Sequence, residues 1–188
     1  MLSLFLKTND KYDGSQLAPL HNYLKHDLLG NSVVAWVGPC NVHTEHMIDG
    51  EDLKVNSAIK GDSMLHLVIE IFDQSLHAGV LWQRLIGEIT RQCIFDLGEK
   101  KMAAQLERRG DDLFVENRKL NISIATCSSN SILLHFGINM TNEGTPVETS
   151  ALADFGITDG HKFSELLLHR VAKEVQSQIR ATQKVKTF

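Results

Sequence analysis

A lysine, two asparagines, a serine and a histidine lie close together in the second half of the chain, at the spacing of neighbouring strands. Leu120, Ile122 and Ile124 alternate with Lys119, Asn121 and Ser123, and Ile132, Leu134, Phe136 and Ile138 alternate with His135, Gly137 and Asn139. Alternation fixes the face that each residue occupies. A three-residue hairpin at Ser128-Ser129-Asn130, where Asn130 is able to take a positive φ, would place the two apolar sets on one face. The opposite face then holds Lys119, Asn121, Ser123, His135, Gly137 and Asn139. One side of an antiparallel sheet is often simply wet. A wet side ordinarily carries several Lys, Glu or Thr, whereas this one has a single cation among short amides, a glycine and an imidazole. That mixture suits a pocket wall that a ligand approaches at the glycine.

The surrounding elements follow from periodicity. The N-terminal Met1–Lys7 stretch reads as a strand. The spacing of Leu17, Leu20, Leu24 and Leu28 predicts a helix over 15–30, capped by Ser15, with Pro19 in its first turn and Gly30 at its end. Ser32–Val37 reads as a buried strand broken by Gly38-Pro39, followed by a polar loop to about Asn56. Met64–Phe72 is an apolar strand containing Glu70. A long helix is expected over 75–97, with Leu76, Val80, Leu85, Ile89 and Cys93 as its buried stripe and Gly98 at its end. A charged stretch, 99–112, precedes strands at 113–115, 119–126 and 131–140. A short helix ends near Gly156, and an amphipathic helix covers 164–182. This order predicts an α+β fold, a mostly antiparallel sheet with helices on one side, in one domain spanning 1–188.

Composition narrows the class. The chain has 188 residues, 43% hydrophobic and 22% charged, which is ordinary for a globular domain. Charges break every apolar stretch before the ~18–20 residues of a membrane span, so no membrane partner is expected. Three cysteines, an odd count without paired spacing, point to a reducing, cytoplasmic setting. The net charge of -4 gives no basic field, so nucleic acid is not expected as a partner. The basic C-terminal helix (Arg170, Lys173, Arg180, Lys184, Lys186) reads as a solvated face. Cys40, His43 and His46 have a spacing that zinc ligands use, but Gly38-Pro39 puts them in a polar loop, and no metal site is assigned.

Several segments resemble the biotin– and lipoate–protein ligases. Asp112-Leu113 followed by Lys119-Leu120 resembles their "N-D-L … K-(I/L)" hairpin. Gly137-Ile138-Asn139-Met140 resembles the "G-I-N-(V/M)" strand of biotin ligases, and Thr149-Ser150-Ala151-Leu152 their "T-S-L" helix start. His135-Phe136-Gly137-Ile138-Asn139 is also similar to the "H-G … N" segment of octanoyl transferases. Gly61-Asp62-Ser63-Met64-Leu65-His66 falls where lipoate ligases have "G-G-G-A-V-Y-H". Over its whole length the chain resembles domain-of-unknown-function family 366, read as a remote branch of that superfamily, which also includes the class II aminoacyl-tRNA synthetase cores.

The resemblance implies a fold like those ligases and an enzyme that activates or transfers a small carboxylic acid, through an acyl-adenylate in the ligases themselves. Lys119 would be the catalytic clamp on the carboxylate and α-phosphate. Gly61, Asp62, His66, Asp112, Asn121, His135 and Asn139 would bind the ligand or cofactor, with ATP and Mg²⁺ as candidate cofactors. Candidate partners are the acid, an acceptor protein and a second copy of the chain. Two alternatives stay open: a non-catalytic relative that keeps the pocket, and a tRNA-linked role. The sequence departs from the pattern in two places. Asn121-Ile122 stands where those ligases usually place a glycine, and Ala58–Ser63 holds one Gly, one Lys and an acid where phosphates need Gly or Arg. No cysteine lies in 141–157, so the thioester route of the octanoyl transferases is not supported.

Overall fold

In the computed structural model, which describes residues 1–186, the chain begins with β1 (Leu2–Phe5), α1 (His21–His26) and β2 (Ser32–Asn41). A 3-10 turn at Thr44–His46, α2 (Gly50–Val55), β3 (Lys60–Phe72), α3 (Leu76–Leu97) and α4 (Lys100–Ala103) follow. The second half runs through β4 (Leu106–Arg109), β5 (Asp112–Val115), β6 (Arg118–Lys119), β7 (Asn121–Cys127), β8 (Ser131–Asn139), a 3-10 turn at Leu152–Phe155 and α5 (Gly160–Gln183). A five-stranded sheet has the order β1-β2-β3-β8-β7, and β4-β5-β6 form a second, small sheet. All pairings are antiparallel except β1 with β2. The α+β class expected from the sequence is what the fold presents.

The large sheet is apolar on both faces for different reasons. Val33, Ala35, Leu65, Leu67, Ile69, Leu134, Phe136 and Ile138 point to the side covered by α3 and α5. Both helices bury stripes at 3–4 spacing: Trp82, Ile86, Ile89 and Cys93 from α3, and Phe163, Leu167, Val171 and Val175 from α5. Each large side chain buried here contributes roughly 1.5–3 kcal/mol. The α3 stripe is rotated from the expected one, since Leu76 is exposed and Val80 and Leu85 are half-buried. The other face carries Val34, Trp36, Met64 and Val68, together with His66 and His135, and is covered by the segment holding Tyr12.

Three expectations fail for identifiable reasons. The helix over 15–30 shrinks to α1, because Leu20 adopts φ 61 and cannot continue a helix. Leu24 is consequently 72% exposed instead of buried. Leu20 is held there by the buried carboxylate of Glu70, which accepts its N–H at 3.1 and 3.2 Å and the Ser131 hydroxyl at 2.7 Å. β2 continues through Gly38-Pro39 with a bulge, because a Cβ at Gly38 would lie 2.2 Å from the Asp10 carbonyl while glycine lets the chains touch. Finally, the β7–β8 register is offset by one residue. Ser128 N–H donates to Ser131 O at 2.8 Å, so the turn proper is Ser129-Asn130, and Ile124 pairs with His135 and Ile122 with Gly137. The Ser128 hydroxyl, which accepts the Asn130 and Ser131 N–H groups, closes this tighter turn.

The Glu70 network makes a stability prediction. Glu70→Ala leaves the Leu20 N–H without its acceptor and leaves the Ser131 hydroxyl with only the Ser128 hydroxyl, 2.8 Å away, as a partner. The unfolding free energy should fall by about 2–3 kcal/mol at an unchanged denaturant slope, with Glu70→Gln falling by less. No loss in Glu70→Gln beside a full loss in Glu70→Ala would mean that volume and one acceptor oxygen suffice, and that the paired carboxylate oxygens are not what Glu70 supplies.

Candidate functional site

A cavity of about 520 Å³ lies on the sheet face away from the long helices. Its apolar wall includes Leu17, Val42, Ile59, Met64, Ile122 and Ile124, and its other walls carry polar residues from β5 to β8 and from loops 46–60 and 145–149. Lys119, Asp112, Asn121, His135 and Asn139 all line it, so five of the eight residues singled out from the sequence come together at one cavity.

The charged end is built by the small sheet. Lys119 pairs in register with Phe114 and touches Thr149 through an isolated bridge, which leaves its ammonium 2.8 Å from Asp112 Oδ1. Both side chains are partly exposed, 39% and 24% respectively. Burial pushes the Asp112 carboxyl upward. The hydrogen bond and charge of Lys119 pull it back, and the neighbouring Asp111 raises it further. Asp111 is anchored by the Ser123 hydroxyl at 2.6 Å and by Gln83 of α3 at 3.2 Å. Asp49, Glu51 and Asp52 also line the cavity, against Lys60 and Lys119 as its lysines.

The neutral end is a pair of histidines under an aromatic lid. His66 Nδ1 and His135 Nε2 are 3.1 Å apart, and His66 Nε2 lies 3.1 Å from the Gly38 carbonyl. Tyr12 stacks on His135 with ring centroids 3.6 Å apart and an interplanar angle of 7°. Trp36 packs on His66 at 5.1 Å and donates its indole N–H to the Asp10 carbonyl. Burial pushes the His66 imidazolium down to about 4, and burial and the neighbouring His66 hold His135 well below the usual imidazole range, so both are neutral near pH 7. Burial likewise raises the Tyr12 hydroxyl and pushes the Cys40 thiol up to about 12, so neither ionises.

The individual placements differ from the expected single stripe. Asn121 is turned to the helix side by the β7 register, and both of its amide atoms are used: Oδ1 accepts Leu113 N–H at 2.7 Å and Nδ2 donates to Asp111 O at 3.1 Å. Ser123 is turned the same way. Asn139 donates to Ser150 O at 3.0 Å. His66 stands behind His135 and not at the cavity wall. Gly61 is inside β3, packed on Met64, and Asp62 is exposed with its carboxylate against the Gly144 backbone, so neither lines the cavity. Cys40 is buried in β2 while His43 and His46 sit beyond it. Among the described residues no group of three His, Cys, Asp or Glu side chains is gathered to hold a metal. Tyr12, Gln83 and Asp111 were not legible as site residues. Tyr12 lies in a stretch without periodicity and is placed by backbone bonds to Pro39 and Asn41.

This architecture is that of the biotin/lipoate ligase fold. A biotin protein ligase from Aquifex aeolicus in complex with biotin and ATP superimposes with a TM-score of 0.60 at 11% identity, covering 93% of this chain and 70% of that one. A protein from T. acidophilum assigned as a lipoate protein ligase, with lipoic acid bound, gives 0.58 at 13%, covering 94% and 86%. At such identities the likeness is one of fold. The chain belongs to the domain of unknown function family DUF366, whose profile matches residues 1–186. It is 33% identical over 181 residues to an uncharacterised protein of Methanocaldococcus jannaschii, covering 93% of this chain and 80% of that one. A solved protein of unknown function from Pyrococcus horikoshi matches with a TM-score of 0.91 at 33% identity, covering 99% of this chain and 98% of that one. Among the described residues no helix is long and apolar enough to cross a membrane.

The histidine pair makes stability depend on pH. Their pKa values are lowered by folding, so below about 6.5 the unfolded chain binds protons that the fold refuses. Stability should therefore be fully present above about pH 6.5 and fall as pH drops from there toward about 4. The slope from this pair should reach about 2.7 kcal/mol per pH unit when both sites contribute. Denaturation from pH 8 to 5 checks this. Replacing both histidines by Phe should flatten that limb, and an unchanged limb would place its origin elsewhere.

Proposed function

We propose that the cavity binds a small carboxylic acid for activation or acyl transfer, with Lys119 as the clamp on the carboxylate. The observation that carries this reading is the Lys119 ammonium at the cavity wall, held 2.8 Å from Asp112 in a cavity with one apolar wall. An apolar floor takes the body of such an acid, and one fixed cation takes its charged end. Near the surface a charge pair at 4 Å is worth about 4 kcal/mol at an effective dielectric of 20. Asp112 orients the ammonium and leaves two of its three N–H donors for the ligand. In activation, the same ammonium would offset charge gathering on the attacking carboxylate. The biotin- and lipoic acid-bound structures of the same fold support the reading by analogy.

The candidate cofactors ATP and Mg²⁺ meet an acidic lining. Asp49, Glu51, Asp52, Asp111 and Asp112 outnumber Lys60 and Lys119, so phosphates fit here only with a dication between them and the carboxylates. Asp62, away from the cavity, drops out of that role, and Asp112 is the carboxylate beside the clamp. The same acidic lining favours the second reading, a pocket that binds the acid without adenylating it.

The test is ATP–pyrophosphate exchange across a panel of acids, with and without Mg²⁺, alongside calorimetry of the acids alone. Adenylation predicts Mg²⁺-dependent exchange that Lys119→Ala reduces by two or more orders of magnitude. The variant should lose only about 1 kcal/mol of stability, since Asp112 can take up a proton when its partner is gone. Acid binding without exchange selects the non-adenylating reading. An acid that binds Lys119→Ala as well as the native protein contradicts the clamp.

A further inference from the structure

We infer that the acid carries N–H or O–H donors on the part remote from its carboxylate, and that His135 Nδ1 receives one of them. This rests on the proposed acid-binding reading and names the ligand class within it.

The argument is one of hydrogen-bond roles. The Gly38 carbonyl can only accept, so His66 Nε2, 3.1 Å away, is the protonated nitrogen. A neutral His66 then has a bare Nδ1, and His135 Nε2, 3.1 Å from it, must be the donor. That leaves His135 Nδ1 as a bare acceptor. The ring is 2% exposed and lines the cavity, and Nδ1 has no hydrogen-bond partner among the described residues. The tautomer is therefore set at Gly38 and transmitted through His66, a positioning residue that does not itself line the cavity.

Two further polar groups on the same walls are in the same condition. The Tyr12 hydroxyl, on the ring stacked against His135, has no partner among the described residues. Asn139 directs its amide nitrogen to the carbonyl of Ser150, so Oδ1 is the acceptor left over, and it too has no partner. His135 and Asn139 are four residues apart on β8 and share a face, with Gly137 between them. A Cβ at Gly137 would come within 3.1–3.2 Å of His135, Ile122 and Met64, so the glycine keeps this stretch of wall low. Acceptors that open onto a cavity and that no protein donor reaches are complementary to a ligand that donates, because a ligand that displaces solvent from them without donating leaves them unpaired. A hydrocarbon or dithiolane body would leave both unpaired. A ureide, amide or hydroxyl would satisfy them, with the Tyr12 hydroxyl free to donate back to its oxygen.

The experiment compares biotin, whose ring carries N–H groups, with lipoic acid, which has the same acid arm and a ring without donors. Binding of each is measured by calorimetry to the native protein, to His135→Phe and to Lys119→Ala. Imidazole ¹⁵N spectra of the unliganded native protein assign the tautomers. The inference predicts a bare His135 Nδ1 and a protonated Nε2, and about tenfold tighter binding of biotin. It also predicts loss of that gap in His135→Phe, whose ring preserves the stack on Tyr12, and weakening of both acids in Lys119→Ala. Equal affinities, or a gap that survives His135→Phe, overturn the inference and leave the acid-binding reading standing. Binding of neither acid overturns the acid-binding reading and the inference together. A protonated Nδ1 overturns the inference whatever binds, and this measurement holds even if His135→Phe fails to fold.

Discussion

The position of the charged end of the cavity depends on one carboxamide. Asn121 accepts from the Leu113 N–H and donates to the Asp111 carbonyl, so it ties the β4–β5–β6 sheet to the edge of the large one. β6 ends at Lys119 and β7 begins at Asn121, with only Leu120 between them. Fixing Asn121 therefore fixes Lys119 on one side and the Asp111-Asp112 pair on the other, all within reach of β8. Both bonds are made in the interior, where a satisfied amide is electrostatically stronger than in water and an unsatisfied one is expensive. A glycine at this position could not make either bond. The small sheet here is joined by a side chain.

The two ends of the cavity obey different rules. At the Lys119 end, charge is tolerated because both partners reach solvent and compensate one another. At the β8 end the side chains are nearly buried, so ionisation is suppressed and only neutral dipoles face the cavity or back its wall: an imidazole pair, a phenol and an amide. A ligand that fits must be polarised the same way, anionic at one end and neutral but hydrogen-bonding at the other. The acidic residues contributed by α2 and its approach surround the mouth and disfavour a bare polyphosphate there.

Much of this was readable from the residues because it is local. The long helices declared themselves through periodicity and caps: Ser75 receives the Ala78 N–H, and Gly98 ends α3. Alternation along β8 put His135 and Asn139 on one face and motif spacing joined Asp112 to Lys119, and these four line one cavity, although Lys119 reaches it from β6 and not through the register expected for β7. What was not readable is set by distant contacts. Nothing near Leu20 announces that Glu70, fifty residues on, will hold it at φ 61 and abort the helix. Tyr12 has no pattern at all and is placed by Pro39 and Asn41. The hairpin register turned on whether Ser128 belongs to the loop or closes it. That single residue turned the side chains of Asn121 and Ser123 toward Leu113 and Asp111, where they bond to protein at the edge of the cavity. Asp62 was read as a loop acid beside phosphates, yet β3 begins at Lys60 and carries it away from the cavity.

The most direct measurement is a crystal structure of the protein with a bound small carboxylic acid, biotin or lipoic acid in the first instance. The account predicts that the carboxylate lies within hydrogen-bonding distance of Lys119 Nζ and that the body of the acid lies along Ile122, Met64 and β8. A carboxylate turned away from Lys119, or an acid bound outside this cavity while the cavity stays filled only by solvent, would contradict it.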